Sequence, residues 1–230
     1  MLRPVWTEDA NCFSFLGGAD AIQHEVTLSD YAISKYETTW KEFDAFRLSE
    51  GKEIALKDRR ERHHTKTYYQ SNSPAWSKGW QEVKNHCLWL GELTGLGFDL
   101  PTEAQWEYAA RSRGQKRYYA TDDGLINSGV NYAGNSKIHA VGLYPPNPLG
   151  LYDMTGNTNE WVNDWFDKVY YSVSPTLNPQ GPQSGDKKVM RGGSARSGLS
   201  IPNFMTTTRI GVELQLSGYS SQTGFRCASH

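Results

Sequence analysis

At 230 residues the chain is long enough for one large domain or two small ones, and nothing in it forces a division. Its 24 basic and 25 acidic side chains leave a formal charge of -1, so no global field draws it to nucleic acid or to an anionic membrane. No apolar run reaches the roughly eighteen residues of a membrane span, and with 37% hydrophobic but 13% aromatic residues the core is expected to consist of large, hydrogen-bonded rings.

The opening stretch, MLRPVWTEDANCF, lacks the apolar segment of a signal peptide. Segment 24–38, HEVTLSDYAISKYET, alternates loosely and reads as a weak strand. A first helix follows in TTWKEFDAFRLSEG. Thr39 and Glu42 form a capping box, Phe43 and Phe46 share one side, and Gly51 ends it. The charged run KDRRERHHTK (57–66) reads as a solvated surface loop. In WQEVKNHCLWLGELTG the spacing of Trp80, Val83, Cys87 and Leu90 predicts an amphipathic helix that points Cys87 inward and stops at Gly95. A third helix is capped by Thr102 with Gln105, carries Trp106, Ala109 and Ala110, and ends near Gly114. Residues 118–186 are rich in Gly, Asn, Pro, Ser and Tyr and show almost no periodicity, yet their tryptophans and tyrosines argue against disorder. KKVMRGGS and TGFRCAS read as short strands.

Familiar catalytic signatures are missing. There is no GxSxG elbow, Walker loop or GxGxxG turn. Cys12, Cys87 and Cys227 lie far apart without a CxxC pair, which excludes a zinc knuckle or a thioredoxin-type site. The six histidines cluster only at His63 and His64, and adjacent side chains do not converge on one metal.

Six landmarks in a fixed order carry a resemblance: ISKYETTWKEFDAF (33–46), NSPAWSKGWQEVKNHCLWL (72–90), LPTEAQWEYAAR (100–111), GLYPPNPLGLYDMTGNTNEWVNDW (142–165), VMRGGS (189–194) and GFRCA (224–228). Over nearly its whole length the chain resembles the formylglycine-generating enzyme family, also called the sulfatase-modifying factor family. The resemblance implies a single domain over 1–230. Its implied fold is α+β and C-type-lectin-like, with small twisted antiparallel sheets, two or three short helices and much irregular backbone.

The family's enzymes carry a C-x4-C pair after RGGS that binds copper for oxidation of a substrate cysteine. Ungapped counting places those two positions at Ser197 and Pro202. A soft thiolate selects Cu(I) and a hydroxyl does not replace it, so neither copper nor formylglycine generation is expected. An iron-dependent branch of the family needs a histidine triad in an added domain, and that is missing too. In relatives the GNxxEW loop wraps calcium; carried over, the ligands are Asn157 and Glu160 with the carbonyls of Thr155 and Thr158, hard oxygen donors of the kind calcium takes. The alternative is that Asn157 and Glu160 hydrogen-bond the turn while Trp161 and Trp165 pack. Asn159 stands where the family's usual GNVWEW has tryptophan.

Cys87 and Cys227 occupy positions where relatives often carry a disulfide, the alternative being two buried thiols. A bridge implies an oxidising compartment, hence a periplasmic or extracellular protein whose leader is absent from this chain, with a cytoplasmic protein as the alternative. Cys12 is then left odd, beside Phe13 and Phe15. The function expected is a non-catalytic protein-binding module, such as the inhibitor or helper of a secreted bacterial toxin or lipase. Arg196, Ser197, Arg209 and Tyr219 are its candidate surface. The alternative is a metal-dependent oxidoreductase of the same family using a non-standard site.

Overall fold

The computed structural model describes residues 22–133, 137–196 and 201–229. Cys12, Ser197 and the start of the chain lie outside these residues. The described part holds helices α1 (Trp40–Ser49), α2 (Lys57–Arg62), α3 (Trp80–Thr94) and α4 (Glu103–Ala110). Both predicted capping boxes are present. Glu42 N donates to Thr39 Oγ1 at 3.4 Å and Thr39 N to Glu42 Oε2 at 2.8 Å, while Gln105 N donates to Thr102 Oγ1 at 3.2 Å and Thr102 N to Gln105 Oε1 at 2.8 Å. Helix α3 ends at Gly95, whose φ of 71° suits the left-handed C-terminal position. The short α2 corrects the reading of 57–66 as a loop. Its Arg60 turns inward, donates to both oxygens of Asp44 at 2.8 and 2.7 Å, and lies over the Trp40 ring.

The strands form two small sheets. One joins β1 (Ala32–Ile33), β7 (Ala228–Ser229) and β2 (Phe98–Asp99) in the order β1-β7-β2, antiparallel throughout. The other runs β5-β4-β3-β6, made of β5 (Ile210–Glu213), β4 (Lys187–Arg191), β3 (Asn159–Trp165) and β6 (Thr223–Phe225). Here β4 pairs antiparallel with β3 and β5, but β6 pairs parallel with β3, Trp161 opposite Phe225. That parallel pairing departs from the all-antiparallel expectation, because the chain leaves β5 by a loop and returns on the far edge of β3. The longest strand, β3, lies inside the stretch that shows no periodicity.

Its two faces are both covered. Trp161 packs with Trp40, Phe43, Trp80, Leu100 and Phe225 in one cluster, while the next residue, Val162, packs with Trp106, Ala109, Leu151, Met154 and Val189 in another. Successive side chains of a strand point to opposite faces, so β3 is the partition between two cores. The Cys87–Cys227 disulfide sits in the first, tying α3 to the segment between β6 and β7. Helix α3 also approaches β2 closely at Gly91, where a Cβ would meet Leu96 O at 2.8 Å and Phe98 N at 3.1 Å.

Candidate functional site

Strand β3 begins where the GNTNEW loop ends, and the loop is held from outside its own segment. Asn157 sits at φ 58°, a left-handed conformation that Asn tolerates better than most side chains. Its Nδ2 donates to Glu37 Oε2 at 2.6 Å and its Oδ1 accepts from His139 N at 3.0 Å. Thr158 donates to Glu37 Oε1 through its backbone N at 3.0 Å and its hydroxyl at 2.5 Å. Two residues on, Glu160 takes Arg226 in a fork, Nε to Oε2 and Nη2 to Oε1, each at 2.7 Å, and accepts Trp106 Nε1 at 2.8 Å. Arg226 further donates to Ser34 O, Lys35 O and Tyr152 O. Burial, with the Asp153 and Glu160 carboxylates nearby, pushes Glu37 well above the carboxylate range. Burial likewise raises Asp153 to about 6. Glu160 is the carboxylate that holds the guanidinium.

These contacts decide how well the loop suits calcium. The side-chain oxygens of Asn157 and Glu160 are taken up by His139 N, Trp106 Nε1 and the Arg226 fork, and an ion at Glu160 would face a guanidinium. As arranged, the Asn157 and Glu160 side chains do not fit a divalent cation, which wants six to eight free oxygens. Among the described residues no group of three or more His, Cys, Asp or Glu side chains is placed to hold a metal. The alternative reading of the segment, a turn hydrogen-bonded by Asn157 and Glu160, matches the contacts.

A second buried charge centre lies between α4 and β4. Glu103 accepts Arg191 Nη1 at 2.9 Å and Arg209 through Nε at 2.9 Å and Nη2 at 2.8 Å. Glu107 accepts Arg191 Nη2 at 2.5 Å and Arg111 Nη1 at 3.1 Å. Trp106 links the two centres, since the Arg191 guanidinium lies over its ring while its Nε1 reaches Glu160. Asp164 on β3 accepts Glu103 N at 2.7 Å, and burial beside the Glu103 carboxylate raises it to about 7. Burial raises Glu107 as well. A cavity of about 100 Å³ opens against this centre, with Tyr170, Tyr171 and Val26 on its other side.

The four candidate surface residues are not equivalent. Arg196 is exposed and lies over the Tyr68 ring, which stacks on Trp76. Ser197, one of the two positions that ungapped counting gives for the family's cysteines, is outside the described residues. The other, Pro202, is exposed in the short 3-10 turn Ile201–Phe204. Tyr219 is half-buried under Lys78 Nζ and packs on the first core cluster. Arg209 is a correction: it is 9% exposed, committed to Glu103 and Asp167 O, and stacked over Phe166 and Tyr171. It is a structural cation, its guanidinium spent on both oxygens of Glu103. Glu37, Glu103, Glu107 and Asp164 escaped the sequence reading. A retrievable signal was the EAQWE spacing of two glutamates on one helix face, with Arg191 in the RGGS segment to meet them.

Comparison with known proteins places this arrangement. Residues 8–230 match the family model described as the sulfatase-modifying factor enzyme 1-like domain. Among curated proteins, the formylglycine-generating enzyme of Mus musculus is 34% identical over 178 residues, covering 70% of this chain and 45% of that protein. The Streptomyces coelicolor enzyme is 35% identical over 175 residues, covering 69% and 53%. The "Inactive C-alpha-formylglycine-generating enzyme 2" of Bos taurus is 27% identical over 166 residues, covering 65% and 48%. The chain thus spans about half the length of the curated relatives it matches. Among solved structures, Treponema denticola variable protein 1 superimposes with a TM-score of 0.72 at 25% identity, over 90% of this chain and 86% of that one.

Proposed function

Because the chain belongs to the sulfatase-modifying factor family, we propose that it is a protein-binding module on that scaffold, without the family's copper-dependent oxidation. The observation that carries this reading is that no cysteine lies between Cys87 and Cys227, the stretch in which ungapped counting puts the family's pair, at Ser197 and Pro202. The three cysteines of the chain stand elsewhere, and Cys87 and Cys227 are joined to each other. Copper(I) needs soft thiolate ligands, and no pair of thiols is available near RGGS to supply them. The disulfide supports an oxidising compartment, the periplasm or the extracellular space, and so a secreted bacterial effector such as a toxin or lipase as the partner. Among the described residues no helix is long and apolar enough to cross a membrane.

On the binding side, the exposed Arg196 over Tyr68 offers the residue types that dominate protein interfaces. The test combines two measurements. Immobilised protein is exposed to secreted and periplasmic fractions of its host, and bound proteins are identified by mass spectrometry for wild type and Arg196→Glu. A partner retained by wild type and lost by the variant is the expected result. In parallel, the copper-loaded protein is given a cysteine-containing sulfatase peptide in an oxygen electrode, where no uptake above background is expected. Copper-dependent oxygen uptake, or the same bound proteins with both forms, would overturn the reading.

A further inference from the structure

The cavity beside α4 has a floor that the rest of the molecule leaves incomplete. Asp164 is 3% exposed, and its Oδ2 accepts Glu103 N, but its Oδ1 makes no hydrogen bond or ion pair among the described residues. Arg111 on the same cavity wall donates to Gln115 O and Glu107 Oε1, and the cations beside Asp164 are turned elsewhere. Lys188 Nζ donates to Asn163 O at 2.7 Å and lies 3.9 Å from the centroids of both Trp80 and Trp165. Arg209 is committed to Glu103 and to Asp167 O. Gly181, at φ 77°, packs closely against this carboxylate, since a Cβ there would come within 2.7 Å of Asp164 Cβ and 3.0 Å of Oδ1. Two more buried oxygens lining the same cavity, Gln23 Oε1 and Thr207 Oγ1, also lack a partner. Two buried, unpartnered acceptors beside a carboxylate oxygen at one small cavity are unusual, since buried polar atoms are nearly always paired.

We propose that this cavity binds a primary ammonium group on a short apolar stem, with Asp164 Oδ1 as its anionic acceptor and Gln23 Oε1 and Thr207 Oγ1 as the neutral ones. An ammonium carries three donors and no acceptor, which matches three acceptors on the wall. A guanidinium fits less well. It prefers both oxygens of a carboxylate in a fork, and Oδ2 is already occupied by Glu103 N. The stem would lie along Val26, Pro179 and the Tyr170 and Tyr171 rings, and aromatic faces favour a neighbouring cation. The inference is independent of whether a protein partner exists.

The experiment titrates n-butylammonium chloride and, separately, 1-butanol into the protein by isothermal calorimetry at about pH 8.5, where the Asp164 carboxylate, raised to about 7, is ionised, with amide NMR to locate the shifts. The expected result is ammonium binding at least about tenfold tighter than the alcohol, from the charge-assisted bond. Asp164→Asn should remove that preference. Val26→Trp, which fills the cavity without touching the charge network, should abolish binding of both. Equal affinity for the two probes, no ammonium binding at all, or ammonium binding that survives Val26→Trp would each overturn the proposal. If Asp164→Asn fails to fold, the wild-type comparison and Val26→Trp still decide it.

Discussion

Arg226 shows how much one buried side chain can hold. It reaches five acceptors, and the two on Glu160 are the only charged ones. Replacing it by leucine would leave a buried carboxylate without its counter-ion, and Arg226→Leu is expected to cost about 3–5 kcal/mol in urea unfolding. The double variant with Glu160→Gln should recover part of that loss. A cost below ~1 kcal/mol would mean that the pair does not anchor the loop. His86 is the opposite case, a buried imidazole among Phe43, Phe46 and Phe225 whose Nδ1 has no partner. Burial lowers it to about 4 from the ordinary histidine value of 6.5. The unfolded chain therefore binds the proton between those two values while the folded chain does not, and stability falls as pH drops through that window. His86→Phe removes the proton, so its stability relative to wild type should rise from neutral pH towards about pH 4, by up to about 1.4 kcal/mol per pH unit. Asp164, raised to about 7, acts with the opposite sign, contributing stability at low pH that is lost as pH rises through 7. That contribution is common to both proteins and cancels in the comparison. A pH-independent difference between them would show that the imidazole takes up its proton without unfolding.

At the scale of elements, helix α4 carries Glu103, Glu107 and Trp106, so its first turn positions both charge centres. Thr102→Ala removes the hydroxyl that accepts Gln105 N and should cost about 1 kcal/mol, with Thr102→Ser close to neutral, as read by thermal melting. Helices of this kind were legible in the sequence because their signals are local: a cap, a partner three residues on, a terminal glycine. Strand β3 was not. A strand buried on both faces has no alternation to read, and its Asn159, Glu160 and Asp164 look like loop residues until their partners are known. Those partners lie far along the chain: Gln222 O for Asn159 N, Arg226 for Glu160, and Glu103 N for Asp164. Resemblance to relatives located the segment 142–165, but only the packing showed that its last seven residues, Asn159–Trp165, are the central strand.

At the scale of the whole molecule, two small sheets and two cores are held together by long-range ties. The disulfide closes a separation of 140 residues, which on the chain-entropy model is worth about 4–5 kcal/mol. Cys87→Ala/Cys227→Ala should therefore lower the urea midpoint strongly, and reductant should do the same to wild type. Unchanged midpoints would place the tie among the dispensable contacts. Exhaustive chelation is expected to leave the melting temperature unchanged, because the Asn157 and Glu160 oxygens already have protein partners. A fall on chelation, reversed by added calcium, would show that the loop rearranges to take the ion. The candidate surface was half legible. Arg196 is where a binding residue could stand, whereas Arg209 reads identically in sequence and is sequestered by Glu103, over a hundred positions away.

The segment that holds β6 and β7 supplies a strand to each sheet, the arginine of the loop anchor and one half of the disulfide. In biosynthesis this makes the order of events strict. Until residue 229 has left the ribosome, neither sheet can close, Glu160 has no counter-ion and the Trp161 core lacks Phe225 as its lid. A nascent chain rich in exposed aromatic rings must then wait for residues 223–229, the situation in which folding helpers and thiol oxidants act on a protein.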